Sequence, residues 1–197
     1  MRRLLARFFL YLGGWKQRGE VPPLDKIVAV SAPHTSNWDF FVLLAFGWLR
    51  GIKYCWMGKK SLFWGPLGWI LRRMGGIAVD RSSRNSLVEQ VAQAFRARQR
   101  LVLAIPPEGT RGRTDYWKSG FYHIARAAGV PLVLGTLDYA NRIGEIGPTI
   151  WPTDDVRGDM DRIRAYYADK RHAGKYPDQF GPVRLREEDD SDARDPP

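Results

Sequence analysis

Cysteine is almost absent: Cys55 is the only one in 197 residues, so no disulfide can form within the chain. Such a chain must hold its fold by packing alone, and a reducing, cytosolic compartment is the simpler expectation. Cys55 sits in Lys53-Tyr54-Cys55-Trp56-Met57, which reads as a buried strand rather than as the site of a reactive thiol. Long apolar runs are missing too. A membrane-crossing helix needs about 20 consecutive apolar residues. Neither residues 4–12, broken by Arg7, nor residues 40–49 reach that length. The basic amino terminus resembles a signal peptide only superficially, because no small-x-small cleavage site follows it. No internal repeat is visible, which excludes solenoid and propeller architectures.

What is present is a globular composition, 44% hydrophobic, with eight Trp and a 13% aromatic share. Indole rings favour places where one edge is apolar and the other wet, membrane interfaces among them. The net charge of +10 is unevenly spread. Residues 187–197 carry six acids (Glu187, Glu188, Asp189, Asp190, Asp192, Asp195) against Arg194. Setting aside that −5 tail leaves +15 on residues 1–186. A basic body attracts polyanions: nucleic acid, anionic lipid headgroups or phosphorylated substrates.

Periodicity organises the chain. Residues 2–12 as a helix place Leu5, Phe8, Phe9 and Leu12 on one face, with Arg3 and Arg7 one turn apart. That pattern suits a helix lying in a membrane interface with its arginines reaching for phosphates; a helix packed on the domain is the alternative. A Gly- and Pro-rich linker follows, residues 13–23. Apolar runs at residues 26–32, 53–57, 77–79, 101–105 and 131–139 read as strands, and residues 142–150 as an antiparallel partner of the last. Residues 37–50, 87–98, 121–128 and 159–171 have helical spacing, and residues 63–74 are helical or irregular. Trp64, Leu67, Trp69 and Leu71 are expected there at or near the surface, beside several basic residues. The alternation of strands and helices predicts a single α/β domain with a largely parallel twisted sheet flanked by helices. Its expected limits are residues 24–173. Residues 1–23 form the amphipathic helix and linker, and residues 174–197 a disordered acidic tail.

Three clusters carry chemistry. In His34-Thr35-Ser36-Asn37-Trp38-Asp39 the histidine and aspartate cannot share a helix face, since five steps of ~100° leave them about 140° apart. They meet if His34 lies on a strand-to-helix loop and Asp39 in the first helical turn. The carboxylate then fixes the imidazole tautomer and leaves the other nitrogen to take a proton. Ser36-x-x-Asp39 is equally a capping box, and Asp39 can serve both roles. In Pro106-Pro107-Glu108-Gly109-Thr110-Arg111-Gly112-Arg113, glycines let backbone amides converge on an anion and Arg111 offers a fork that grips phosphate oxygens. Lys118 follows at an expected helix start, where free amides also favour anions. In the third cluster, Gly75 to Arg81, Asp80 and Arg81 close a strand. Both of the first two loops follow expected strands, where sites form in parallel sheets.

In this order the clusters resemble the glycerolipid acyltransferase family, which includes the 1-acyl-glycerol-3-phosphate acyltransferases. His34 and Asp39 match its His-x4-Asp motif, Gly76 to Arg81 its Gly-x-x-x-Asp-Arg element, and Glu108, Gly109, Thr110 and Arg111 its Glu-Gly-Thr-Arg motif. Val130-Pro131 matches the element opening the next strand. The resemblance covers roughly residues 27 to 140. It implies a general base (His34) oriented by Asp39, and an acceptor site made by Glu108, Gly109, Thr110 and Arg111 with help from Arg81; Lys118 is added to that site on its position alone. It further implies transfer of a fatty acyl group from acyl-CoA or acyl-carrier protein to a lysolipid hydroxyl at an anionic membrane surface, on its cytoplasmic face. No metal or bound cofactor is needed, because a thiol leaves readily. Three positions depart from the pattern: Ala78 replaces an aromatic, Gly112 a frequent serine, and Leu132 to Leu134 lack a second proline. They leave acceptor identity open, with a lyso-amino-acid lipid as the alternative to lysophosphatidate.

Two rivals are weighed. A hydrolase would want a Gly-x-Ser-x-Gly elbow, which the chain lacks. A basic nucleic-acid-binding module would account for the charge and, through base stacking, the aromatics. It would leave His34, Asp39 and Glu108 without work, so nucleic acid is not the expected partner.

Overall fold

The computed structural model describes residues 1–80, 82 and 84–188. The elements in chain order are α1 (Arg2–Leu12), β1 (Lys16–Arg18), β2 (Lys26–Ser31), α2 (Trp38–Arg50), β3 (Tyr54–Lys59), α3 (Gly65–Arg73), β4 (Gly76–Val79) and α4 (Arg84–Arg96). Then come β5 (Leu101–Ile105), α5 (Gly120–Ala128), β6 (Leu132–Asp138), β7 (Ile143–Ile150) and α6 (Val156–Tyr167). Short 3-10 turns occupy Lys60–Leu62 and Pro177–Gln179.

Seven strands form one sheet in the order β1-β7-β6-β2-β5-β3-β4. Only β6 and β7 pair antiparallel; the other neighbours are parallel. Central β2 is covered on both faces, as parallel strands must be. That is why it reads as an almost unbroken apolar run, with Val28 and Val30 fully buried.

The crossovers decide which helix covers which face. From β2 to β3 to β4 the chain moves one way along the sheet, and from β4 through β5 to β6 it returns. Right-handed connections therefore place α2 and α3 on one face and α4 and α5 on the other. The packing agrees. Val28, Val30, Leu103 and Leu134 point towards Val91 and Phe95 of α4, Ile124 of α5, and Met160 and Ile163 of α6. On the opposite face Leu137 meets Val42, Ala45 and Phe46 of α2, against which Ala6 and Leu10 of α1 are packed.

The expected domain limits were drawn too tightly at both ends. Residues 1–23 are not an appendage: α1 docks on α2, and Lys16, Gln17 and Arg18 extend the sheet beside Ile143, Gly144 and Glu145. An edge strand with polar residues gives no apolar periodicity, so this one was invisible as a strand. The chain then passes so close to β7 that a Cβ on Gly19 would lie 2.0 Å from the Ile146 carbonyl oxygen. Residues 174–188 likewise belong to the packed body. Phe180 and Leu185 are buried, and the Trp117 amide donates to the Arg184 carbonyl at 2.8 Å. Residues 189–197, the rest of the expected disordered tail, lie outside the described residues.

Candidate active site

The register of the central strands brings the two chemically loaded loops together. β2 pairs with β5 from Lys26↔Leu101 to Val30↔Ile105, so both strands end side by side. The loop bearing His34 leaves one, and the loop bearing Glu108 to Arg111 leaves the other.

Asp39 stands in the first turn of α2, 6% exposed. Its Oδ2 accepts from His34 Nδ1 at 2.9 Å, from the Thr35 amide at 3.0 Å and from the Ser36 amide at 3.1 Å. Its Oδ1 accepts from the Tyr139 hydroxyl at 2.7 Å. Only half of the capping box forms: Asp39 returns to the Ser36 amide, but Ser36 Oγ accepts from the Trp38 amide at 3.2 Å and the N-cap residue, Asn37, makes no side-chain cap bond. Four donors on one buried carboxylate hold it still. A carboxylate facing Nδ1 places the ring proton there, so Nε2 keeps its lone pair. The imidazole is partly exposed and lines a cleft of about 1830 Å³.

Glu108 is buried, only 3% exposed. Its Oε1 accepts from the His34 amide at 3.0 Å, and Oε2 has no hydrogen-bond partner among the described residues. Burial pushes its pKa up to about 7, although the His34 amide and imidazole pull the other way. Glu108 does not line the cleft; it ties the His34 loop to the end of β5. Gly109, Thr110, Arg111 and Lys118 all line the cleft with His34 and Asp39. Arg111 donates to the Asn37 side chain, which holds its guanidinium beside the start of α2. Gly109 has φ +64°, and a Cβ there would stand 2.7 Å from Lys118 Nζ. The glycine therefore admits both the left-handed turn and the lysine that lies across it. Lys118 is anchored by its amide to the Pro107 carbonyl at 2.8 Å, two residues before α5 begins. Arg81 lies outside the described residues.

Sequence reasoning missed Tyr139, which sits 100 positions from the aspartate it touches. The signal was there in the alternation of β6: residues 133, 135 and 137 face α2, and residue 139 continues that parity. The ring is held edge-on by Trp15, centroids 5.0 Å apart, and its amide donates to the Ala173 carbonyl at 2.7 Å. Residues 174–188 were missed as well: the Tyr176 amide donates to Thr35 Oγ1 at 3.2 Å, bracing the same loop. Cys55 takes no part; burial raises its pKa and keeps it a thiol. Among the described residues no group of three or more His, Cys, Asp or Glu side chains is gathered as metal ligands would be.

The arrangement can therefore take a proton from a hydroxyl at Nε2 while a nearby cationic loop holds an anion. Comparison with known proteins agrees in kind. The acyltransferase family model matches residues 16–134. The 1-acyl-sn-glycerol-3-phosphate acyltransferase of Salmonella typhimurium is 38% identical over 84 residues, covering 39% of this chain and 34% of that protein. The chloroplastic 1-acyl-sn-glycerol-3-phosphate acyltransferase BAT2 of Brassica napus is 30% identical over 134 residues, 66% of this chain and 37% of the relative. The chain thus spans about a third of the length of these curated relatives. The crystal structure of the 1-acyl-sn-glycerophosphate acyltransferase from Thermotoga maritima superposes with a TM-score of 0.60 at 13% identity, covering 89% of this chain and 80% of that one. That likeness concerns the fold: an α/β domain whose mostly parallel sheet is flanked by helices. With more than half its length matched by the family model, and with the His34–Asp39 pair and the Glu108 to Arg111 loop meeting at one cleft, the chain belongs to the acyltransferase family.

Proposed function

We propose that the chain transfers a fatty acyl group from an acyl thioester to the hydroxyl of a lysophospholipid, foremost 1-acyl-glycerol-3-phosphate, giving phosphatidic acid. The observation that carries this reading is the imidazole of His34, held by a fully bonded Asp39, opening onto the cleft that Arg111 and Lys118 also line. Nε2 takes the acceptor's hydroxyl proton as the oxygen attacks the thioester carbonyl. The carbon–sulfur bond then breaks, and the thiolate leaves with that proton from the imidazolium. A positioned base contributes about 10²–10⁴ in rate, and holding both substrates adds a proximity effect that can be larger. Arg111 and Lys118 hold the acceptor's phosphate. The apolar wall built by Phe40, Leu43, Leu71, Met74, Leu87 and Val88 suits an acyl chain.

Acyl-CoA and acyl-carrier protein both supply the required thioester. The relatives named for 1-acyl-sn-glycerol-3-phosphate support lysophosphatidate as acceptor. Ala78 and Gly112, at positions where the family pattern has other residues, keep a lyso-amino-acid lipid as the alternative. The reaction belongs at the cytoplasmic face of a membrane. Among the described residues no helix is long and apolar enough to cross one. The stripe of Leu5, Phe8, Phe9 and Leu12 on α1 is nevertheless exposed, as an interfacial helix needs. Nucleic-acid binding is the competing reading of the basic body.

The test is incubation of the purified protein with labelled acyl thioester and a panel of lysolipids, with His34→Ala as control. Diacyl product formed by the parent chain and not by the variant is expected. Release of free fatty acid alone would make the protein a thioesterase, and retention on single-stranded nucleic acid rather than anionic liposomes would favour the rival.

A further inference from the structure

The exposed apolar side chains are not scattered. α1 presents Leu4, Leu5, Phe8, Tyr11 and Leu12 to solvent, α2 presents Trp38 and Phe41, and the 3-10 turn with α3 presents Leu62, Trp64, Leu67, Trp69 and Ile70. Trp64 is 85% exposed and Trp69 66%. α1 packs on α2, and α2 and α3 share one face of the sheet, so all of these belong to one helical layer. An aromatic string through Trp38, Phe41, Phe40, Trp56 and Phe63 joins the α2 part to the α3 part. Among the described residues the layer covering the other face contributes no comparable cluster.

The geometry points to α3 and the turn before it as a second lipid-contact element, which joins α1 to seat this layer on an anionic phospholipid surface beside the cleft. Charge selects that occupant. None of residues 40–79 is acidic, whereas Arg50, Lys53, Lys59, Lys60, Arg72 and Arg73 are basic. Residues 1–19 also lack acids and contain Arg2, Arg3, Arg7, Lys16 and Arg18. Arg73 lies over the Trp69 ring at 5.8 Å, the pairing of a cation with an indole that suits the headgroup level. α3 is also a wall of the cleft. Leu71 and Met74 line it while Trp69 and Ile70, in the same turns, face outwards. A lipid acceptor leaving the bilayer along α3 would enter the cleft without exposing its chain to water.

This rests on the membrane reading proposed above, and the experiment separates the two. Full-length protein is partitioned onto phosphatidylglycerol-containing vesicles and onto pure phosphatidylcholine vesicles. Three double variants are compared with it: Trp64→Ser with Trp69→Ser, Lys60→Glu with Arg73→Glu, and Phe8→Ser with Leu12→Ser. All six positions are exposed, and thermal unfolding midpoints should match the parent's. The tryptophan pair should lower partition by about tenfold or more on both vesicle types. The charge reversal should lower it on phosphatidylglycerol selectively. If both α3 variants bind like the parent while the α1 variant is released, α1 is the sole anchor and the proposal fails, with the membrane reading intact. A parent that binds neither vesicle overturns both. An α3 variant that turns a dimer into a monomer with vesicle binding unchanged would assign the surface to a second copy of the chain instead.

Discussion

The two loops that build the cleft are made on opposite terms. The His34 loop is buried at its base and bonded throughout: Asp39 takes four donors, Glu108 takes the His34 amide, and Thr35 is braced by Tyr176. The Thr110–Arg111 loop is exposed. Thr110 Oγ1 accepts from the Gly112 amide at 3.3 Å, and the Arg111 guanidinium donates to the neighbouring Asn37 side chain. The difference suits the work proposed for each. A proton acceptor must be aimed to within a fraction of an ångström, and misplacement costs rate. A cation that neutralises a phosphate tolerates movement, because charge attraction falls off slowly with distance. The first loop should therefore govern kcat and the second KM.

The hardest blow to that contrast is expected from His34→Ala. Turnover should fall by about 10²–10⁴ with the fold and vesicle binding unchanged. Full residual activity would remove the base. Glu108→Gln sharpens the account of how the rigid loop is held. Because burial raises the Glu108 pKa from 4.5 to about 7, the unfolded chain gives up its proton first as pH rises. The group's contribution to stability is therefore complete below pH ~4.5 and is lost as pH climbs through ~7, by on the order of 3 kcal/mol. Denaturant midpoints across that window should decline more steeply for the parent than for the variant, and parallel slopes would contradict the buried placement.

Arg111→Ala comes next. Losing a charge-assisted contact of about 1.5–3 kcal/mol should raise KM for a phosphorylated acceptor by about 10–100-fold while kcat holds. A fall in kcat alone would mean that Arg111 acts on the transition state. The smallest effect belongs to Tyr139→Phe, which removes one hydroxyl bond worth about 1 kcal/mol. It should cut kcat several-fold with KM unchanged, because only the aim of the carboxylate is disturbed. A KM effect instead would place Tyr139 against substrate rather than behind Asp39.

These loops also mark where the sequence was informative. Strand β2 announced itself because burial on both faces demands an apolar run. The His34 and Glu108 loops could be placed together because sites gather at the ends of parallel strands. Two features escaped for different reasons. Lys16 to Arg18 form a strand through backbone pairing alone and leave no local pattern, whereas the parity of β6 places Tyr139 on the α2 face without showing that its partner, 100 positions away, is Asp39. The burial of Glu108 against the His34 amide was not legible, because the resemblance supplies a motif but not which of its side chains turns inward. Residues 174–188 carry few apolar side chains, but Phe180 and Leu185 suffice to dock them.

The division of labour is tested most directly by single-turnover acyl transfer measured over a range of acceptor concentrations for the parent, His34→Ala and Arg111→Ala. The account predicts that saturating acceptor restores Arg111→Ala to nearly the parental rate and leaves His34→Ala at least about 10²-fold slow. Recovery of His34→Ala at high acceptor concentration, with Arg111→Ala slow at every concentration, would contradict it.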